Sequence, residues 1–267
     1  MRPADVLRAA RVPAARPELA GLPVYEPGRA APPGAVKLAS NENPYGPSPK
    51  IRRALKSFSA WERYPDGSSA GLRAALSGRL GVSPEEIIVG AGSDEIGDFL
   101  AHAFLRPKDA VVYPKYTFIR YAMAAAAAGA RRIETRVNAD FSVDLENLIR
   151  TIRSVRPRMV CLANPNNPTA AYLRREEFLE LADRIPRSSL FVVDEAYYEY
   201  AILSPEYPDS LLGLKKYPNM VVLRTFSKIY GLASLRVGFA VADPRVISEL
   251  HKVGPPFNVS AIGQMAA

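Results

Sequence analysis

The sequence predicts an α/β fold, a mostly parallel sheet sandwiched by helices, and three observations predict it. Short continuous apolar runs such as Met159 to Ala163 alternate with longer stretches whose apolar residues recur at helical spacing. Strands without a polar face are buried on both sides, as in sheets whose crossovers are helices. Polar, turn-forming motifs fall at the strand ends, and in open sheets of this kind ligands sit beyond the carboxyl ends of the strands.

Taken in order, residues 1 to about 35 are rich in Pro, Ala and Arg and read as an N-terminal arm. Residues 36 to 49 are crowded with turn formers, and a helix is expected from Pro49 to Ser59. Leu72, Leu76 and Leu80 mark a second helix. Ile87-Ile88-Val89 reads as a strand ended by Gly90-Ala91-Gly92, followed by a helix with Ile96, Phe99, Leu100, Ala103 and Phe104 on one face. Ala110 to Tyr113 is a strand closed by Pro114, and a helix runs through the alanines up to Ala130. Strands are expected at Arg132 to Val137, Met159 to Ala163, Leu190 to Val193, Met220 to Arg224 and Val237 to Val241. Leu145 to Val155 and Glu176 to Ile185 are the intervening helices.

Composition narrows the function classes. The 267 residues are 48% hydrophobic, enough for one large core or one core plus a small appendage. The net charge of +8 is spread over short basic groups such as Arg52-Arg53 and Arg131-Arg132, with no long basic run and no nucleic-acid motif. Such a field also suits a phosphate-bearing substrate. Cys161 is the single cysteine and lies in an apolar run, so a reduced structural thiol is expected. No stretch is long and apolar enough to span a membrane, no secretory signal is legible, and the cytoplasm is the simplest location.

The strand-end motifs converge on a phosphorylated aromatic cofactor. Gly92-Ser93-Asp94-Glu95 opens a helix, where free N–H groups and the helix dipole form an anion site; taken alone it is equally an ordinary N-cap. Asp194 ends a buried strand and needs a partner, which is a protonated ring nitrogen, a salt bridge or a cap. A metal at Asp194-Glu195 lacks any matching His or carboxylate cluster. Lys228 follows an apolar strand; it either snorkels to solvent or, if desolvated, offers an amine for imine formation. Ser227 and Arg236 suit a phosphate, although Arg236 alone also reads as a surface ion pair. Tyr116 suits stacking on a flat ring, and Asn167 and Tyr197 suit a phenolate oxygen; each taken singly is an ordinary structural residue. There is no phosphate loop and no GxGxxG at a strand–helix turn, which sets nucleotide binding aside.

In this order the motifs resemble fold-type I PLP-dependent aminotransferases, and within them histidinol-phosphate aminotransferases and their aromatic-aminotransferase relatives. The resembling segments are SNENPYGPSP at 40–49, RYPDGSS at 63–69, GAGSDE at 90–95, NPNNPT at 164–169, VVDEAYYEY at 192–200, RTFSKIYGLASLRVGF at 224–239 and PPFNVSAIGQMAA at 255–267. The resemblance implies pyridoxal 5′-phosphate as cofactor, Lys228 as the Schiff-base lysine and Asp194 as the partner of the pyridine nitrogen. It implies Tyr197 and Asn167 at the ring oxygen and Tyr116 stacked on the ring. Ser93, Asp94, Ser227 and Arg236 are then phosphate ligands, and Tyr64 reaches the partner subunit's cofactor phosphate in a homodimer. Tyr25 and Asn43 fall where the family contacts substrate. The implied reaction is amino transfer from histidinol phosphate or an aromatic amino acid to 2-oxoglutarate. The alternatives are a PLP-dependent decarboxylase or lyase on the same scaffold, and a non-catalytic PLP-binding fragment. The chain departs from the family at Ala170 and Ser234, where glycine is usual. The resemblance also implies three parts: an arm over 1–35, a large PLP-binding domain over 36–250, and the start of a segment at 251–267 leading to a small C-terminal domain that is missing.

Overall fold

A computed structural model describes residues 15–19, 28 and 32–267. Seven strands form one sheet: β1 (Ile87–Gly90), β2 (Ala110–Pro114), β3 (Arg131–Thr135), β4 (Met159–Ala163), β5 (Leu190–Asp194), β6 (Met220–Thr225) and β7 (Gly238–Ala242). The spatial order is β1-β7-β6-β5-β4-β2-β3. From β3 to β6 every pairing is parallel, and β7 runs antiparallel to both β6 and β1. The mostly parallel sheet predicted from the apolar runs is therefore present, with one reversed strand inside it.

The nine α-helices among the described residues are α1 (Pro49–Lys56), α2 (Ala70–Leu80), α3 (Ser93–Phe104), α4 (Arg120–Ala127), α5 (Leu145–Val155), α6 (Arg175–Arg184), α7 (Tyr198–Ala201), α8 (Pro244–His251) and α9 (Ala261–Ala266). Local chemistry sets several of their ends. Asp144 caps α5 by accepting from the Asn147 N–H at 2.8 Å. Glu177 reaches back to the Arg174 N–H at 2.8 Å at the start of α6. Asp243 caps α8, with Pro244 at its first position.

The helices cover both faces of the sheet. Leu72 and Leu76 of α2, Leu148 and Ile152 of α5, and Phe178 and Leu181 of α6 pack with Val160, Phe191, Val193 and Val222 on one face. Ile96, Phe99 and Leu100 of α3, Tyr121 and Ala125 of α4, and Ile247 and Leu250 of α8 pack with Val111, Cys161, Val192, Val221 and Leu223 on the other. Successive residues of a strand point to opposite faces, so a run such as Val192-Val193 feeds both cores. Each fully buried side chain of this size contributes about 1.5–3 kcal/mol. Alanines line the inner side of α4, which lets its backbone approach the sheet.

Where the strand limits differ from the sequence expectation, the reason is local. The strand expected over Arg132 to Val137 stops at Thr135, because Val137 leaves it to bridge antiparallel with Val143. The helix expected to Ser59 ends at Lys56, where the Ser57 hydroxyl returns to the Ala54 carbonyl at 2.8 Å. Among the described residues no helix is long and apolar enough to cross a membrane.

Candidate active site

The carboxyl ends of β1, β4, β5 and β6 and the start of β7 meet at one edge of the sheet. A cleft of about 110 Å³ opens there. Ser93 and Asp94, Asn167, Asp194 and Tyr197, and Ser227, Lys228 and Arg236 all line it. Residues far apart in the chain are thus brought together by the topology.

One end of the cleft is built for an anion. α3 begins after Gly92 with no side chain capping its first turn, so its leading N–H groups remain free. Gly92 has φ +85°, and a Cβ there would lie 2.4 Å from an Arg236 guanidinium nitrogen. Only glycine allows that arginine to lie against the turn. Arg236 donates to the Ser227 hydroxyl at 3.3 Å and to the Ala233 carbonyl at 3.2 Å, and stands 3.6 Å from the Asp94 carboxylate. Ser227 is fixed in turn by its own N–H, donated to Thr225 Oγ1 at 3.1 Å.

Asp194 lies at the floor and is buried. It accepts from the Tyr121 hydroxyl at 2.8 Å and from the Ala196 N–H at 3.0 Å. Burial raises its carboxyl to about 6; the two hydrogen bonds and the Lys228 charge oppose that shift, and Asp94 adds to it. The next residue turns the other way. Glu195 accepts from Arg224 Nε at 2.9 Å, and Arg224 also pairs with Asp209 at 3.1 Å while lying 3.5 Å over the Tyr198 ring. Glu195 is thereby committed to a buried ion pair, and no group of metal-ligating side chains is found among the described residues.

Lys228 follows β6 and donates to the Ser40 carbonyl at 3.1 Å. Its amine lies 5.5 Å from the centre of the Tyr197 ring. Burial lowers its pKa and Arg236 lowers it further, against the pull of Asp94 and Asp194. The Tyr197 hydroxyl accepts from Asn41 at 2.9 Å, and burial raises its pKa. A second hollow of about 500 Å³ adjoins the cleft, sharing Asn167 and Tyr197 and adding Tyr172 and Tyr200.

Other expected residues sit differently. Tyr116 does not line the cleft: it has φ +55°, is half exposed, and lies edge-on to Phe141 at 5.6 Å. Its carbonyl is held by the Asn166 side chain at 2.9 Å, and this turn directs the ring outward. Phe118 and Tyr121 form the aromatic wall instead. Asn43 donates to the Ile229 carbonyl at 2.7 Å and accepts from the Tyr45 N–H at 3.0 Å, so both ends of its amide fasten backbone beside Lys228. Tyr64 is 81% exposed and stacks on Phe257 at 4.7 Å, away from this cleft. Tyr25 lies outside the described residues. Sequence reasoning missed Tyr121, Phe118 and Asn41. For Tyr121 a signal existed: a hydroxyl-bearing ring four positions before Ala125 on the apolar face of α4 must find a polar partner when buried.

Fold and cleft together define an α/β protein with an anion cradle, a buried carboxylate and a desolvated lysine in one site. The class I and II aminotransferase family model matches residues 33–267, and the chain belongs to that family. It is 42% identical over 233 residues to the histidinol-phosphate aminotransferase of Caldicellulosiruptor saccharolyticus, covering 87% of this chain and 64% of that protein. It is 41% identical to an aromatic amino acid aminotransferase of Streptomyces avermitilis, covering 96% of this chain and 72% of that one. Among solved structures, the histidinol-phosphate aminotransferase of Sinorhizobium meliloti in complex with pyridoxal-5′-phosphate superposes with a TM-score of 0.80 at 30% identity, over 85% of this chain and 61% of that one. The chain thus spans somewhat under two thirds of the length of the first and last of these proteins.

Proposed function

We propose that the chain carries out PLP-dependent amino transfer, with histidinol phosphate or an aromatic amino acid as donor and 2-oxoglutarate as acceptor. The observation that carries this reading is the convergence of Lys228, Asp194 and the uncapped start of α3 on one cleft. The residues fit the cofactor: the space beside Gly92 admits Arg236 only because no Cβ is there, and the cradle so formed suits an anion. Bound there, the cofactor supplies an aldehyde carbon for the amine and a pyridine ring able to take up the electron pair left when a Cα proton departs.

The side chains divide the remaining work. Ser93, Ser227, Arg236 and the backbone N–H groups around Asp94 hold the phosphate. Asp194 keeps a proton on the ring nitrogen, and Tyr197 and Asn167 donate to the ring oxygen. The Lys228 amine, its pKa lowered by burial, takes the Cα proton and returns it as base and then acid. The hollow lined by Tyr172, Tyr197 and Tyr200 suits a flat donor side chain. In a homodimer Tyr64, exposed on its own subunit, would be available to the partner's phosphate.

Reduction of the PLP-loaded chain with borohydride, followed by peptide mapping, tests the assignment. The label is expected on Lys228, and Lys228→Ala is expected to lose amino transfer by about 10²–10⁴-fold. Label on any other lysine overturns the reading.

A further inference from the structure

We propose that Tyr121 is a positioning residue for Asp194, whose donated hydroxyl keeps that carboxylate ionised and oriented toward a cation in the cleft. The inference rests on the cofactor reading above and deepens it. Tyr121 stands in the first turn of α4, and its hydroxyl meets Asp194 Oδ2 at 2.8 Å in a fully buried setting. The second oxygen takes the Ala196 N–H at 3.0 Å. A carboxylate has about four lone-pair sites, so these two bonds leave about two free to accept from a partner in the cleft.

The direction of the bond is fixed. Burial drives the Tyr121 phenol well above its ordinary value of 10, and the Asp194 charge beside it adds to that, so Tyr121 remains a donor at any working pH. Among the described residues the Tyr121 hydroxyl hydrogen-bonds Asp194 alone. The void of about 30 Å³ beside it is lined by apolar Leu105, Val111 and Met159 and also by Asp94, Asp98 and Arg120; Arg120 is paired with Asp98 at 2.7 Å, and the Cys161 thiol is held neutral by burial. The other charges acting on Asp194 are Asp94 on α3 and Lys228 after β6, and they oppose each other.

A neutral donor does something an arginine would not. It lowers the proton affinity of the carboxylate while leaving its negative charge intact. A cationic ring nitrogen facing Asp194 then keeps its proton. With the hydroxyl removed, the carboxylate becomes more basic and draws that proton to itself. A ring bound there would then lose its positive charge, and the Lys228 amine would no longer face that cation across the cleft.

The test uses the full chain loaded with PLP. Tyr121→Phe is expected to bind PLP about tenfold more weakly, the order expected for losing a hydrogen bond to a buried charge. The pH midpoint of the cofactor's visible absorbance is expected to rise. Fluorotyrosine at position 121, a stronger donor of nearly the same shape, is expected to lower it. On an Asp194→Asn background, Tyr121→Phe is expected to add nothing. Unchanged midpoints in both variants, with Lys228 still labelled by borohydride, overturn the role of Tyr121 and leave the cofactor reading standing. Equal weakening by Tyr121→Phe on either background reduces Tyr121 to packing and overturns the proposal. Absence of any lysine label overturns the cofactor reading and this inference with it.

Discussion

Two carboxylates that are neighbours in the chain, Asp194 and Glu195, are both buried at the end of β5, and the protein treats them in opposite ways. Glu195 has a guanidinium in direct contact: Arg224 meets it at 2.8 Å and is itself only 5% exposed. Asp194 has only neutral donors, Tyr121 and the Ala196 N–H. Burial raises the pKa of both. The Arg224 charge and its hydrogen bond counter that shift at Glu195, whereas Asp194 is left near 6. A buried carboxylate with its cation in place is framework; one without is poised for a cation that arrives from the cleft.

The largest expected effect removes the framework pair. Arg224→Ala leaves Glu195 and Asp209 without their shared cation and should cost about 3–5 kcal/mol in urea unfolding. A cost below about 1 kcal/mol would erase the distinction between the two carboxylates. Asp194→Asn should act with the opposite sign in the cofactor-free chain. The folded carboxyl titrates near 6, above its ordinary value of 3.8, so the native state holds that proton more tightly than the unfolded chain. The stability it contributes is complete below about pH 4 and lost as pH rises through about 6. Asp194→Asn should therefore flatten the fall in stability between those values and gain about 1–3 kcal/mol at pH 8, read from melting curves across pH. A fall equally steep in the variant would assign it to other groups. The smallest effect sharpens the contrast at the far end of the cleft. Gly92→Ala pushes Arg236 out of the cradle and strains a φ of +85°, at a cost of about 1–2 kcal/mol. PLP affinity should drop about tenfold while the pH dependence assigned to Asp194 stays as it was.

The strands were legible because their signal is local. Met159 to Ala163 and Leu190 to Val193 are continuous apolar runs bounded by polar residues; the structure reproduces the first to the residue and extends the second by one, through Asp194. The strand expected at Val237 to Val241 is present as β7, but its direction was not legible, since Gly238 to Ala242 reads the same either way and its reversal depends on its neighbours β1 and β6. Short α7 lacks length enough for a helical period, and the brief α8 and α9 are separated by Gly254-Pro255-Pro256, which breaks any sustained period. At the site, the acid, the amine and the anion cradle stood out because a charge after an apolar strand demands an explanation. Tyr121 did not, because its partner lies 73 positions away and only the packing of α4 on the sheet unites them. Tyr116 stands outside the cleft because its motif fixes the residue, whereas its ring direction follows the backbone turn that Asn166 holds.

Among the described residues, the segment from Ser40 to Asn43 is tied to the sheet end at three points, and two of them borrow groups at the heart of the cleft: the Lys228 amine holds the Ser40 carbonyl, and the Tyr197 hydroxyl holds Asn41. The Asn43 tie, to the Ile229 carbonyl, is independent of them, and Glu42 is held locally by Lys37 at 2.8 Å. Whatever occupies the lysine and the tyrosine competes with the chain's own leader for those hands. Events at the centre are then felt at the rim, as a loosening of residues 40 and 41 about a pivot at 43.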